Sequence, residues 1–210
     1  MRETEPAEPE RARIRTGDRA AFAELYDRHA RAVYNHALRL TGNWSQAEEA
    51  MSETFLAAWR TRATVDEEGG SLRPWLLGIA THKAHNVNRG LRRRLAFLAR
   101  SPEPRPVADF AEETAGRIDD ARRLAVVHRA LGRLGRQDRE VFALCVAAGL
   151  DYRQAAEALG IPVGTVRSRL SRARARLARL SEDGPELPAV HGEMESEAAL
   201  AALFLRKETP

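Results

Sequence analysis

The chain has 210 residues, room for one medium domain or two small helical ones, with 43% apolar but only 6% aromatic residues. Ala, Leu, Arg and Glu dominate and long stretches lack Gly and Pro, a composition that favours packed helices and argues against sheet. The net charge of +4 is modest for 34 basic and 30 acidic residues, so a polyanion partner has to be sought in the way the arginines cluster; the single cysteine, Cys145, excludes an internal disulfide.

Residues 1–17 are acidic and proline-bearing, read as a disordered arm, and do not resemble a secretory signal. From 18 to 100 the text is helical. In FAELYDRHARAVYNHALRL, residues Phe22, Leu25, Tyr26, His29, Val33, Ala37 and Leu40 fall on one stripe and predict a core face. A second helix is expected from Ser45, whose hydroxyl and the Glu48 carboxylate form an S-x-x-E capping pattern, to about Trp59. The loop TRATVDEEGGS follows, and Pro74 at a first helical position opens PWLLGIATHKAHNVNRGLRRR. That helix ends with Arg89, Arg92, Arg93 and Arg94, more positive charge than a helix dipole needs.

Residues 101–118 carry three prolines in their first six positions and read as a linker. Helical pattern resumes at 119 and runs to 182, broken near Leu134 and Gly135, with Val141, Phe142, Leu144 and Cys145 turned inward. Residues 183–210 form a tail whose ESEAALAALFLRK segment suits a short amphipathic or buried helix. Its apolar run, Ala198 to Leu205, falls well short of the roughly 20 residues of a membrane span, so a cytoplasmic protein without membrane insertion is expected. The expected fold is all-α: two small helical domains joined by a Pro-rich linker, the second ending in a helix-turn-helix.

The stretch DYRQAAEALGIPVGTVRSRLSRARARLARL carries the chemistry. Ala155, Ala156 and Leu159 on a first helix are small enough for a second to cross closely; Gly160 supplies a left-handed turn residue and Pro162 fixes the entry to the next helix. On that helix Val166, Leu170, Ala173 and Leu177 share one stripe. The opposite side therefore holds Gly164, Ser168, Ser171 and Ala175, all small. Arg167 and Arg174 flank it on one side, and Arg169, Arg172 and Arg176 on the other, with no acidic residue from Ala158 to Ser181. A solvated helix normally mixes signs. This one suits the major groove, where arginine grips phosphates or reads guanine.

With both blocks in view, the sequence resembles the extracytoplasmic-function sigma factors, compact sigma factors that keep only regions 2 and 4. QAEEAMSETFLAAWR is similar to the family's polymerase-docking helix, GSLRPWLLGIATHKAHN to its promoter-melting segment, and LDYRQAAEALGIPVGTVRSRLSRARARL to its helix-turn-helix. The resemblance implies minus-35 base reading by Arg167, Ser168, Ser171 and Arg172, with Thr165, Arg169, Arg174 and Arg176 on phosphates. It implies minus-10 contact and melting by Trp75, Asn86, Arg89, Arg92, Arg93 and Arg94, and polymerase docking by Glu48, Glu49, Glu53 and Phe55. Gln46 and Ser52 depart from the family's D-x-x-Q-E pattern, and Asp66, Glu67 and Glu68 place negative charge in the strand-capturing loop. The implied partners are core RNA polymerase, promoter DNA and an anti-sigma protein.

Trp44 and Trp59 are expected in the core. His82 and His85 have a metal-compatible spacing but no completing ligand, so neither a metal nor a cofactor is expected. No nucleophile constellation or phosphate-binding glycine loop supports an enzyme. The competing readings are a stand-alone helix-turn-helix regulator and an adaptor whose helix-turn-helix has become a protein-binding surface.

Overall fold

The computed structural model describes residues 10–66, 70–98 and 128–182. The expected linker at 101–118, the tail at 183–210, and Glu67 and Glu68 lie outside the described residues. Among those described there is no strand. The longer helices are α1 (Glu10–Thr16), α2 (Arg19–Thr41), α3 (Trp44–Thr61, followed by a short 3-10 turn over Arg62–Thr64), α4 (Arg73–Leu98), α5 (Arg136–Phe142, continued by a wider turn over Ala143–Ala147), α6 (Tyr152–Leu159) and α7 (Val163–Glu182).

Each boundary has a local cause. Asp18 caps α2 by accepting from the Ala20 and Ala21 amides at 2.8 and 3.2 Å, a contribution of about 1 kcal/mol. Gly42 ends α2 in the left-handed conformation (φ 70°). Asn43, not Ser45, caps α3: its carboxamide oxygen accepts from Gln46 N at 3.0 Å, so Ser45 falls inside the first turn. Pro74 takes the second position of α4, behind Arg73, whose amide donates to the Ser71 hydroxyl.

α2, α3 and α4 pack on one another around Leu25, Val33, Leu72, Leu76 and Leu77. His36, fully buried, ties α2 to α4 through Thr81 at 2.8 Å. Thr81 spends its proton on Leu77 O, so it accepts from His36 Nε2. Tyr26, placed on the core stripe by periodicity, is 41% exposed; it sits at the edge of the stripe, where its ring leans on Phe55 at 4.7 Å.

Residues 10–17, expected within a disordered arm, are ordered: α1 buries Ile14 completely and Arg11 almost so. The two sit three apart on one helical face, and burying Ile14 contributes roughly 1.5–3 kcal/mol.

Helix α5, α6 and α7 enclose Val141, Phe142, Leu144, Ala155, Val166, Leu170, Ala173 and Leu177. This second block also packs on the first, α6 against α4. At the crossing Gly78 is so close to α6 that a Cβ there would lie 2.3 Å from the Ala158 carbonyl oxygen. The His128 ring covers Gly42 in the same way.

Candidate nucleic-acid interface

The helix-turn-helix is built by local hydrogen bonds. Asp151 accepts from Arg153 N and Gln154 N, both at 2.8 Å, while Gln154 Oε1 returns to Asp151 N, so α6 starts on a complete capping box. Gly160 (φ 63°) ends it in the left-handed conformation. Pro162 O then accepts from Thr165 N and Val166 N, which starts α7 at a fixed angle.

α7 buries Val166, Leu170, Ala173 and Leu177, as the period requires. Arg167, Ser168, Ser171, Arg172, Arg174 and Arg176 are exposed, and Thr165 and Arg169 half-buried at the edges. Two neighbours hold arginines of this face. Arg172 Nη2 pairs with Asp138 of α5 at 3.0 Å, and Arg167 lies over the Tyr152 ring at 5.9 Å. The Arg172 side chain is 61% exposed, so the pair is weak and can be exchanged for DNA. Asp138 and Tyr152 were missed from sequence: the arginine face is free of acids along the chain but not in space.

Along α4, Trp75, His82 and Arg89 recur every seven residues with Asn86 and Arg93 beside them. Trp75 is half-buried, while Asn86, Arg89 and Arg93 are exposed. Arg92 and Arg94 belong to α4, but their side chains lie outside the described residues. Arg89 also reaches a cleft of about 320 Å³ between the two blocks, shared with His85, Arg136, Arg139 and Glu140. Among the described residues no three His, Cys, Asp or Glu side chains are grouped as metal ligands.

On α3, Glu48, Glu49 and Ser52 face solvent. Glu53 receives a hydrogen bond from Lys83 of α4 at 3.0 Å, which holds its carboxyl below the usual range. Phe55 is not on the surface: at 6% exposure it packs edge-on to Phe22, because its position one turn after Met51 faces α2. Its expected docking role can only be indirect. Leu56, 49% exposed beside the acids, is a surface apolar group that the sequence did not single out, and Tyr26, expected in the core, is a second. Trp59 is half-buried between Phe22 at 5.0 Å and the Arg62 guanidinium at 4.4 Å. Trp44, expected in the core, is 42% exposed and stacks on Tyr34, since it is the first residue of its helix and has only α2 to cover it.

Residues 25–94 match the family Sigma-70 region 2, and residues 124–177 match Sigma-70, region 4. The chain is 31% identical over 169 residues to the RNA polymerase sigma factor NccH of Alcaligenes xylosoxydans xylosoxydans, covering 80% of this chain and 90% of that one. It is 33% identical over 151 residues to the ECF RNA polymerase sigma factor SigL of Mycobacterium tuberculosis, covering 72% and 83%. Among solved structures it is similar to CnrH in complex with the cytosolic domain of CnrY (27% identity, TM-score 0.63, 83% of this chain and 96% of that one). It is also similar to the sigma factor RpoE of Bartonella quintana in complex with the anti-sigma factor NepR (26% identity, TM-score 0.57, 77% and 96%).

Proposed function

The chain belongs to the extracytoplasmic-function sigma factors of the sigma-70 family, and from its surfaces we propose how it divides promoter recognition and opening among its helices. A sigma factor acts with core RNA polymerase on promoter DNA and is not itself an enzyme; the polymerase does the chemistry.

The observation that carries the division is the α7 face: small residues in the middle, arginines on both flanks, and a buried stripe behind. Ser168 and Ser171 let the helix backbone approach the major groove of the minus-35 element, where Arg167 and Arg172 reach base edges. Thr165, Arg169, Arg174 and Arg176 face the phosphate walls and set register. Reading requires Arg172 to leave Asp138, a small cost for an exposed pair. In the minus-10 element Trp75 offers a stacking surface, and Asn86 with the cations from Arg89 to Arg94 follows the separated strand.

Polymerase docking falls to the outer face of α3, where Glu48, Glu49 and Ser52 surround Leu56. Phe55 acts from beneath by fixing α3 on α2. Because Glu53 is engaged with Lys83, it orients α3 against α4 as well as contributing charge. Transcription places the protein in the cytoplasm, and among the described residues no helix is long and apolar enough to cross a membrane. By likeness to RpoE, solved with an anti-sigma factor, this chain is proposed to be held inactive by such a partner.

Run-off transcription with purified core polymerase and a promoter library tests the division. Transcripts should start at promoters sharing an upstream and a downstream element. Binding to DNA without core, and no transcript with it, would favour a stand-alone regulator.

A further inference from the structure

Arg11 lies in α1, outside every surface used above. It is 8% exposed, and its guanidinium donates to three main-chain carbonyls: Nη1 to Asp66 at 2.7 Å, Nε to Gly70 at 2.5 Å and Nη2 to Ser71 at 3.1 Å. Asp66 closes one limb of the loop before α4; Gly70 and Ser71 begin the other. One planar fork therefore spans both limbs. Arg15 adds a bond to the Val65 carbonyl at 3.1 Å, and Val65 is itself buried.

Arginine is the side chain for this task. It carries five N–H donors in a rigid plane, whereas a lysine ammonium is a point donor and cannot hold three carbonyls at these directions at once. None of the three acceptors is a carboxylate, so the group is recognised by the spacing of the limbs and in turn imposes that spacing. The effect continues into α4. The Ser71 hydroxyl accepts from Arg73 N at 3.2 Å and Leu72 O accepts from Leu76 N at 3.0 Å. The limb gripped by Arg11 is thus also the start of α4, and Trp75 stands in its first turn.

We infer that Arg11 is a positioning residue for promoter opening: by fixing Asp66, Gly70 and Ser71 and with them the start of α4, it sets how Trp75 meets the minus-10 strand, and so the base preference there. This rests on the proposal that α4 engages that element.

The test uses holoenzyme reconstituted with the full chain and a promoter panel in which each minus-10 base is replaced in turn. Open-complex formation is read by permanganate reactivity, beside core affinity and minus-35 duplex affinity. For Arg11→Lys, core and minus-35 affinities stay within roughly two-fold of wild type. The ratio between best and worst minus-10 bases shrinks about ten-fold, and further in Arg11→Gln. If Trp75→Ala moves the base profile and neither Arg11 variant does, Arg11 has no positioning role while the minus-10 proposal stands. If Trp75→Ala leaves the profile unmoved, the underlying proposal fails and the inference with it. Should Arg11→Gln not fold, Arg11→Lys decides alone; unfolding of both would make Arg11 a stability residue and overturn the inference.

Discussion

α4 and α7 carry the arginines directed at DNA, yet they sit in opposite surroundings. α7 buries one stripe and leaves the rest of its circumference open, so its own period decides which residues reach outward. α4 is covered by α2, α3 and α6, and its accessible residues are whatever those three neighbours leave uncovered. A helix covered from one side can be read from its own text. One covered from three sides cannot, and its function is correspondingly more sensitive to changes far from DNA.

The largest expected effect attacks that covering. Gly78→Leu places side-chain atoms where the Ala158 carbonyl now sits, and overpacking of this kind against backbone costs about 3 kcal/mol or parts the helices. A lower melting temperature with a larger radius of gyration in X-ray scattering is expected. An unchanged melt and radius would show that α6 does not cover α4 in solution.

Acid should loosen the other side of α4. Burial pushes His36 from 6.5 down to about 3, with the Arg39 and Arg73 charges acting in the same direction. Between those values the unfolded chain binds a proton that the folded chain does not. Stability is therefore full above 6.5 and falls as pH drops, by up to roughly 1.4 kcal/mol per unit. Equilibrium denaturation across pH checks this, and His36→Gln should remove most of the acid slope. Burial also lowers His29 and His128, which leaves a smaller remainder. A slope untouched by His36→Gln would mean that His36 does not set the acid sensitivity of the fold.

On α7 the expected effects are smaller and confined to DNA. Arg176→Ala should weaken all promoters about equally and lower the salt slope by about one. Asp138→Asn frees Arg172 and should raise minus-35 affinity by no more than roughly 1 kcal/mol, with melting little changed. A loss of affinity there would mean that Asp138 aims Arg172 instead of restraining it.

The same contrast decides what could be read before the structure. The turn at Gly160, the buried stripe from Val166 to Leu177 and the break at Gly135 are products of local sequence, and they stand where periodicity and turn chemistry put them. Most of the errors involve a distant partner; the cap of α3 is the local one. Asn43 takes the capping role given to Ser45 because its carboxamide oxygen accepts from Gln46 N and starts the helix at Trp44, one residue before Ser45. Phe55 turns inward and Leu56 outward because α2 lies on one side of α3 only. Arg11 looks like one charge in an acidic, proline-rich arm until the loop 55 to 60 residues later provides its carbonyls. Asp138 meets Arg172 across 34 residues, a distance at which charge patterning along a helix carries no information.

The face of α7 opposite its buried stripe is proposed to read the minus-35 element. Selection of minus-35 sequences by holoenzyme carrying wild-type chain, Arg172→Ala or Arg176→Ala tests it most directly. Arg172→Ala should lose preference at one base position, by roughly 1–3 kcal/mol, while Arg176→Ala keeps the wild-type preference at lower affinity. Equal loss of selectivity in both, or in neither, would contradict the assignment of the face.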